Sequence, residues 1–195
     1  MQLTPARGVF GDEPVWFHEP ARWRRSGPDL TLWTDHGTDF WRHTRYGHVR
    51  DNGHFLGVRM LGEFVAVVEV DAACTAPGDH AGLMVRMDAE RWTTAGVELG
   101  DAGHAVTAVV THGVSDRSVT PVGRLDGPVS LRVARTRDSL TVEFSLDAGT
   151  TWVPHRMAYL PPDLPAFVGP TAASPVGDGF DVTFRNASLS PVPPR

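Results

Sequence analysis

Apolar residues return at every second position in a series of short runs. Phe64, Ala66, Val68 and Val70 form one run, and Leu83, Val85 and Met87 form another. Thr93, Ala95, Val97 and Leu99 follow, then Val106, Ala108 and Val110. Val129, Leu131 and Val133 precede Leu140, Val142 and Phe144; Phe180, Val182 and Phe184 close the series. A period of two puts each set on one face of a strand, because successive strand side chains point to opposite sides. Among these runs stand 20 glycines and 16 prolines. The rhythm is that of an all-β sandwich or barrel. Helical periodicity is weak throughout, and Asp88–Trp92 reads at most as a turn. No composition shift or internal repeat divides the chain, so residues 1–189 read as one domain. The stretch 190–195 holds three prolines and reads as a frayed tail.

Composition narrows the function classes. With 195 residues the chain can bury a core without disulfides or metal, since a domain of this size hides roughly 70% of its unfolded surface. A net charge of −5 argues against a general nucleic-acid binder. Cys74 stands alone, which excludes an intramolecular disulfide framework and a cysteine-rich zinc site. The sequence contains no lysine, so Schiff-base chemistry and a Walker-type phosphate loop are excluded. No apolar run approaches the roughly 18 residues of a membrane span. Met1–Pro14 has no apolar core of a secretory signal, so a soluble, cytoplasmic protein is expected.

Ser145-Leu146-Asp147-Ala148-Gly149-Thr150-Thr151-Trp152 fits the S-x-D-x-G-x-T-W pattern called an Asp-box. Its logic is that of a hairpin turn. The Asp caps turn amides, Gly supplies a left-handed position and Trp anchors the turn to the sheet. The reading is structural, not catalytic.

Three further blocks are more particular. The first is Thr38-Asp39-Phe40-Trp41-Arg42, continuing through Thr44, Tyr46-Gly47 and Asp51-Asn52-Gly53-His54-Phe55. The second is Ala81-Gly82-Leu83-Met84-Val85-Arg86 with Trp92, Gly96 and Glu98. The third is Gly169-Pro170 with Ser174-Pro175 and Gly179-Phe180. With Ser115-Asp116 and Ser118, these blocks resemble the regulation-of-enolase-like family, a domain of unknown function in the concanavalin A-like lectin/glucanase superfamily. The resemblance runs from about Val15 to Phe184. It implies a jelly-roll sandwich of two antiparallel sheets, one of them concave, and no established activity. The sequence departs from the family pattern at three places. Gly78-Asp79-His80 replaces a Tyr-Asp-Gln run, Thr94 stands where a lysine is usual, and Arg117 where a tryptophan is usual.

Alternation assigns faces to the candidate site residues. If Leu83 and Val85 point into the core, His80, Met84 and Arg86 point to the other side. By the same rule Thr94, Gly96 and Glu98 point outward, so His80, Arg86 and Glu98 are expected on one sheet surface. The first block adds Phe40, Trp41 and Tyr46 beside Asp39, Arg42, Asp51, Asn52 and His54. Aromatic faces with forked donors and carboxylates suit a carbohydrate groove. Each of these residues also has a structural alternative. Asp39 can cap a turn, Asp51-Asn52-Gly53 reads as a tight turn, and Arg86 with Glu98 can form an ion pair that holds register.

Three functions fit. The first is a lectin-like module for an oligosaccharide or sugar derivative. The second is a glycoside-active enzyme using Glu98 with Asp51 or Asp116. Laminarinase-type jelly rolls carry E-x-D-x-x-E on one strand; here Glu69-Val70-Asp71 is followed by Cys74 at the third acid's place. The third is an interaction module that modulates a metabolic enzyme. No cofactor is expected. No metal is expected either, since neither H-x-H nor H-E-x-x-H spacing occurs, although scattered calcium ligands stay open.

Overall fold

The computed structural model describes residues 13–192. Two seven-stranded antiparallel sheets pack face to face, and no described residue is helical. In the first sheet the strands run in the order β1 (Val15–Phe17), β6 (His54–Met60), β15 (Ala166–Ala173), β8 (His80–Arg86), β9 (Arg91–Gly100), β10 (Gly103–His112) and β11 (Val114–Gly123). The second runs β14 (Val153–Tyr159), β13 (Ser139–Ser145), β12 (Val129–Thr136), β7 (Phe64–Ala72), β16 (Asp181–Pro191), β3 (Asp29–Trp33) and β2 (Arg22–Ser26). A two-stranded ribbon, β4 (Phe40–Arg42) with β5 (Val49–Asp51), stands apart from both.

The alternating runs lie in these strands, except that Met87 and Phe180 fall one residue outside β8 and β16, and their apolar faces meet between the sheets. Leu56, Val68, Leu83, Val97, Leu131 and Phe184 belong to this main core. Burying each such side chain contributes roughly 1.5–3 kcal/mol. The expected turn falls at Asp88–Glu90, where Met87 N–H donates to the carbonyl of Arg91, and β9 begins at Arg91. β16 carries pairing through Pro191, opposite Phe64, so Ser190 and Pro191 are sheet residues and not tail. Residues 193–195 lie outside the described part of the chain.

The outer face of the first sheet is only partly open. Phe40, Phe55, Met84, Trp92 and Val109 form a second buried cluster there. The ribbon covers this end of the sheet, Phe40 meeting Trp92 edge-on at 5.9 Å. At the other end the strands β8 and β9 approach closely. Gly82 lies opposite Gly96, and a Cβ on Gly82 would sit 2.5 Å from the Cα of Gly96. Between Ser145 and Trp152 the turn is closed by local bonds. Asp147 Oδ1 accepts from the Ser145 hydroxyl at 2.6 Å and from Thr151 N–H at 2.8 Å. These donors, the Ser145 hydroxyl foremost, hold the Asp147 carboxyl at about 2. Gly149 takes φ 83°, and Arg132 lies 4.3 Å from the Trp152 ring centre.

Candidate functional site

Beside the second cluster, the same sheet face carries a cleft of about 340 Å³. Its floor is Thr94 and Glu98 of β9, Thr107 and Val109 of β10, and Arg117 of β11. These alternate with core residues, so the strand period that fills the core also furnishes the floor.

The ribbon makes one wall. Trp41 and Arg50 are cross-strand partners and share the ribbon face that lines the cleft. The partners Phe40 and Asp51 share the other face, from whose edge Phe40 also lines the cleft. There Asp51 takes a two-pronged bond from Arg86, at 2.6 and 2.7 Å. The loop joining β4 to β5 is tight. His43, Arg45 and Gly47 all have positive φ, and Gly47 N–H donates to the His43 carbonyl at 2.6 Å. This conformation lifts Tyr46 into solvent, where it is 58% exposed. Its ring stacks on His48 at 5.7 Å and 14°, and meets Trp41 edge-on at 5.6 Å. Trp41 is in turn fixed by its Nε1–H bond to the Thr44 carbonyl, 2.7 Å. Arg45 lies 5.7 Å from the Tyr46 ring centre, so the platform joins exposed rings with a cation.

Pro77, Gly78, Pro175 and Val176 make the opposite wall. It is held by Asp79, which is fully buried. Oδ2 accepts from the amides of Thr75 and Ala76 at 2.9 Å each, and Oδ1 from the Ser174 hydroxyl at 2.6 Å. One carboxylate thus ties two loops together. Cys74 sits close by; burial, with the charge of Asp79 next, pushes its thiol up to about 12, which leaves it protonated and inert.

Of the residues expected at a site, Asp39, Trp41, Tyr46, His80 and Glu98 line this cleft. The others do structural work. His54 is 2% exposed, accepts from Asp35 N–H at 3.0 Å through Nε2 and meets the His18 carbonyl at 2.8 Å through Nδ1. Asn52 braces the segment before the ribbon by accepting from Asp39 N–H and donating to the Gly37 carbonyl. Arg42 turns away from the cleft and fastens the ribbon to Gly113 and Glu90.

The expected Arg86–Glu98 pair does not form. Register explains why: Arg86 lies opposite Trp92, whereas Glu98 lies opposite His80. Six residues of strand, roughly 20 Å, separate the two ends. Arg86 pairs with Asp51, and Glu98 with Arg117 at 2.7 Å. The candidate acid pairs fail on the same ground. Asp51 is held beneath the ribbon by Arg86, and Asp116 lies on the opposite face of β11 from Arg117, bonded to Arg156 at 2.9 Å. Glu69 and Asp71 sit on the outer face of the other sheet, Asp71 paired with Arg185. No cluster of His, Cys, Asp or Glu able to hold a metal occurs among the described residues.

Sequence reasoning missed His48, Arg50 and Val176. His48 and Arg50 are reached only once the length of the β4–β5 loop is known. Val176 follows a Ser-Pro pair that alternation does not place. Arg117 was visible as a departure from the family pattern, and it lines the cleft, as do Thr94 and His80.

A model of the family described as "Protein of unknown function (DUF1349)" matches residues 16–192. The chain belongs to this family. A curated relative, "Regulation of enolase protein 1" of Saccharomyces cerevisiae, is 38% identical over 188 residues, covering 96% of this chain and 94% of the relative. The crystal structure of a functionally unknown protein from Saccharomyces cerevisiae superposes with a TM-score of 0.88 at 37% identity, covering 93% of this chain and 97% of that one. Two more distant structures share the fold. Carbohydrate-binding module CBM66 of Bacillus subtilis has a TM-score of 0.56 at 14% identity, covering 89% of this chain and 94% of the module. A xylan β-1,4-xylosidase of Bacillus halodurans has a TM-score of 0.64 at 15% identity, covering 90% of this chain and 38% of the enzyme. These two share the β-sandwich fold of the chain.

Proposed function

We propose that this family member is a lectin-like module that binds a carbohydrate or sugar derivative in the cleft without breaking it. The observation that carries this reading is the Tyr46–His48–Trp41 platform standing beside the acceptor carboxylates of Asp39 and Glu98. A flat exposed ring stacks on a sugar face, and carboxylates accept from its hydroxyls. A volume of about 340 Å³ suits one or two sugar rings. The fold supports the reading by kinship with a carbohydrate-binding module. A glycoside-cleaving mechanism needs a proton donor facing a second carboxylate. Here Glu98 is taken up by an ion pair with Arg117 at 2.7 Å.

Titration of the protein with neutral mono- and oligosaccharides, followed by melting temperature and calorimetry, tests this. A saccharide should raise the melting temperature, and Tyr46→Ala should weaken it about tenfold while leaving the unliganded melting temperature in place. Unchanged affinity in Tyr46→Ala would remove the platform from the site. A silent panel would move the reading to a protein partner. Enolase would then be the first to mix with the chain, because the yeast relative is named for its regulation.

A further inference from the structure

Among the described residues, the cleft-lining arginine Arg50 has no ion-pair partner. Arg50 is half-buried, and among the described residues its guanidinium reaches a single acceptor, the Pro175 carbonyl, at 3.4 Å. The arginines beneath the ribbon and on the floor are all matched: Arg42 with Glu90 at 2.8 Å, Arg86 with Asp51 at 2.6 Å and Arg117 with Glu98 at 2.7 Å. Arg50 stands out because its cross-strand partner is Trp41, so pairing places it on the cleft side and not over the acidic underside of the ribbon. A partly desolvated guanidinium without an anion is costly to keep. Its planar fork of N–H donors suits a carboxylate or a phosphate taken on two prongs.

The remaining polar groups define the rest of the ligand. Asp39, whose Oδ1 already accepts from Phe40 N–H at 2.8 Å, and Glu98, bonded to Arg117, accept and do not donate, so the acceptor positions left on them suit hydroxyl donors. Tyr46 and Trp41 require a ring face. From these together, and resting on the carbohydrate reading above, we infer that the ligand is an acidic sugar: its carboxylate or phosphate sits on Arg50, its hydroxyls face Asp39 and Glu98, and its ring lies on Tyr46. Asp39 shares the cleft with Arg50, so a bare anion gains less there than one attached to a hydroxylated ring.

Calorimetric titration with matched probes decides the matter: glucose, glucuronate and glucose 6-phosphate, with the galactose series in parallel and inorganic phosphate as a control. One acidic sugar should bind about tenfold or more tighter than its neutral parent, the yield of a charge-assisted pair. Whether the uronate or the phosphate gains identifies the anion. Arg50→Gln should erase this preference, lowering the acidic sugar's affinity about tenfold more than the neutral parent's. Arg50→Lys, which keeps the charge and loses the fork, should retain only part of it. Equal binding of acidic and neutral sugars overturns the inference and leaves the carbohydrate reading standing. So does an equal loss of both in Arg50→Gln. Inorganic phosphate binding as tightly as the sugar phosphate overturns the sugar part. Silence toward every sugar, neutral and acidic, overturns both readings.

Discussion

Asp79 illustrates how much of this cleft depends on a residue that no ligand would touch. Its carboxylate satisfies two backbone amides on its own loop and the hydroxyl of Ser174 on the facing one. Asp79 and Ser174 are both fully buried, so the Ser174 hydroxyl above all has no water to turn to. Asp79→Ala should therefore cost on the order of 3 kcal/mol, the penalty of stranding buried donors. In a domain of this size that is about 10 °C of melting temperature. Asp79→Asn keeps acceptor capacity but brings an amide donor toward the same donors, so it should fall between wild type and alanine. Differential scanning calorimetry of the two variants checks the order. Arg135 offers a parallel case away from the cleft. It is fully buried, lacks an ion-pair partner among the described residues, and donates to the carbonyls of Leu164, Pro161 and Pro162. Both residues use one charged group to hold a loop that has no ladder of its own.

At the scale of elements, legibility followed burial on one side. β7, β12 and β13 show clean alternation because one face is core and the other meets solvent. β2 is exposed at all its positions and reads Arg-Trp-Arg-Arg-Ser, so periodicity had nothing to report. β15 hides behind Gly169-Pro170, a pair that argues against a central strand. Its pairing with β6 lapses at just these two residues, resuming from Val168↔Val58 to Thr171↔Phe55. A Cβ at Gly169 would run into the Leu56 carbonyl, so glycine is required there. The site was half legible for a related reason. Aromatic and acidic types in the first block announced a surface, but partner choice depends on register, which alternation leaves open. Arg86 found Asp51 and not Glu98 on that account. The ribbon yields a prediction of its own. Arg42 bonds it to Gly113 at 3.0 Å and Glu90 at 2.8 Å, with the Ser115 hydroxyl accepting from its backbone N–H. Arg42→Ala should loosen the ribbon without unfolding the sandwich. Amide hydrogen exchange at Val49–Asp51 should accelerate about tenfold while β7 and β12 stay protected. Uniform acceleration across all of these would show that the ribbon is not a separate unit.

For the whole molecule, the seam between the sheets opens a question of pH. β14 is the edge of the second sheet, and it closes against β10 and β11 of the first. His155 sits in that seam, its Nδ1 3.0 Å from the Thr120 hydroxyl and its ring edge-on to Phe144 at 6.2 Å. Arg156 beside it bonds Asp116 across the same gap at 2.9 Å. Burial, and then the charge of Arg156, lower the His155 pKa from its ordinary 6.5. The unfolded chain therefore binds this proton more readily than the folded one. Stability from the neutral imidazole is complete above pH 6.5 and is lost as pH falls through the lower folded value. Protonation would place a second cation next to Arg156 in a site where His155 Nε2 is buried without a partner among the described residues. Melting temperature measured from pH 7.5 down to 5 should thus decline more steeply in wild type than in His155→Phe, which packs on Phe144 and does not titrate. The other histidines are common to both proteins, so the difference between the two curves isolates this ring. Parallel curves would show that the seam is indifferent to His155, and would leave the Arg156–Asp116 bond and the apolar contacts as what holds β14 across the gap.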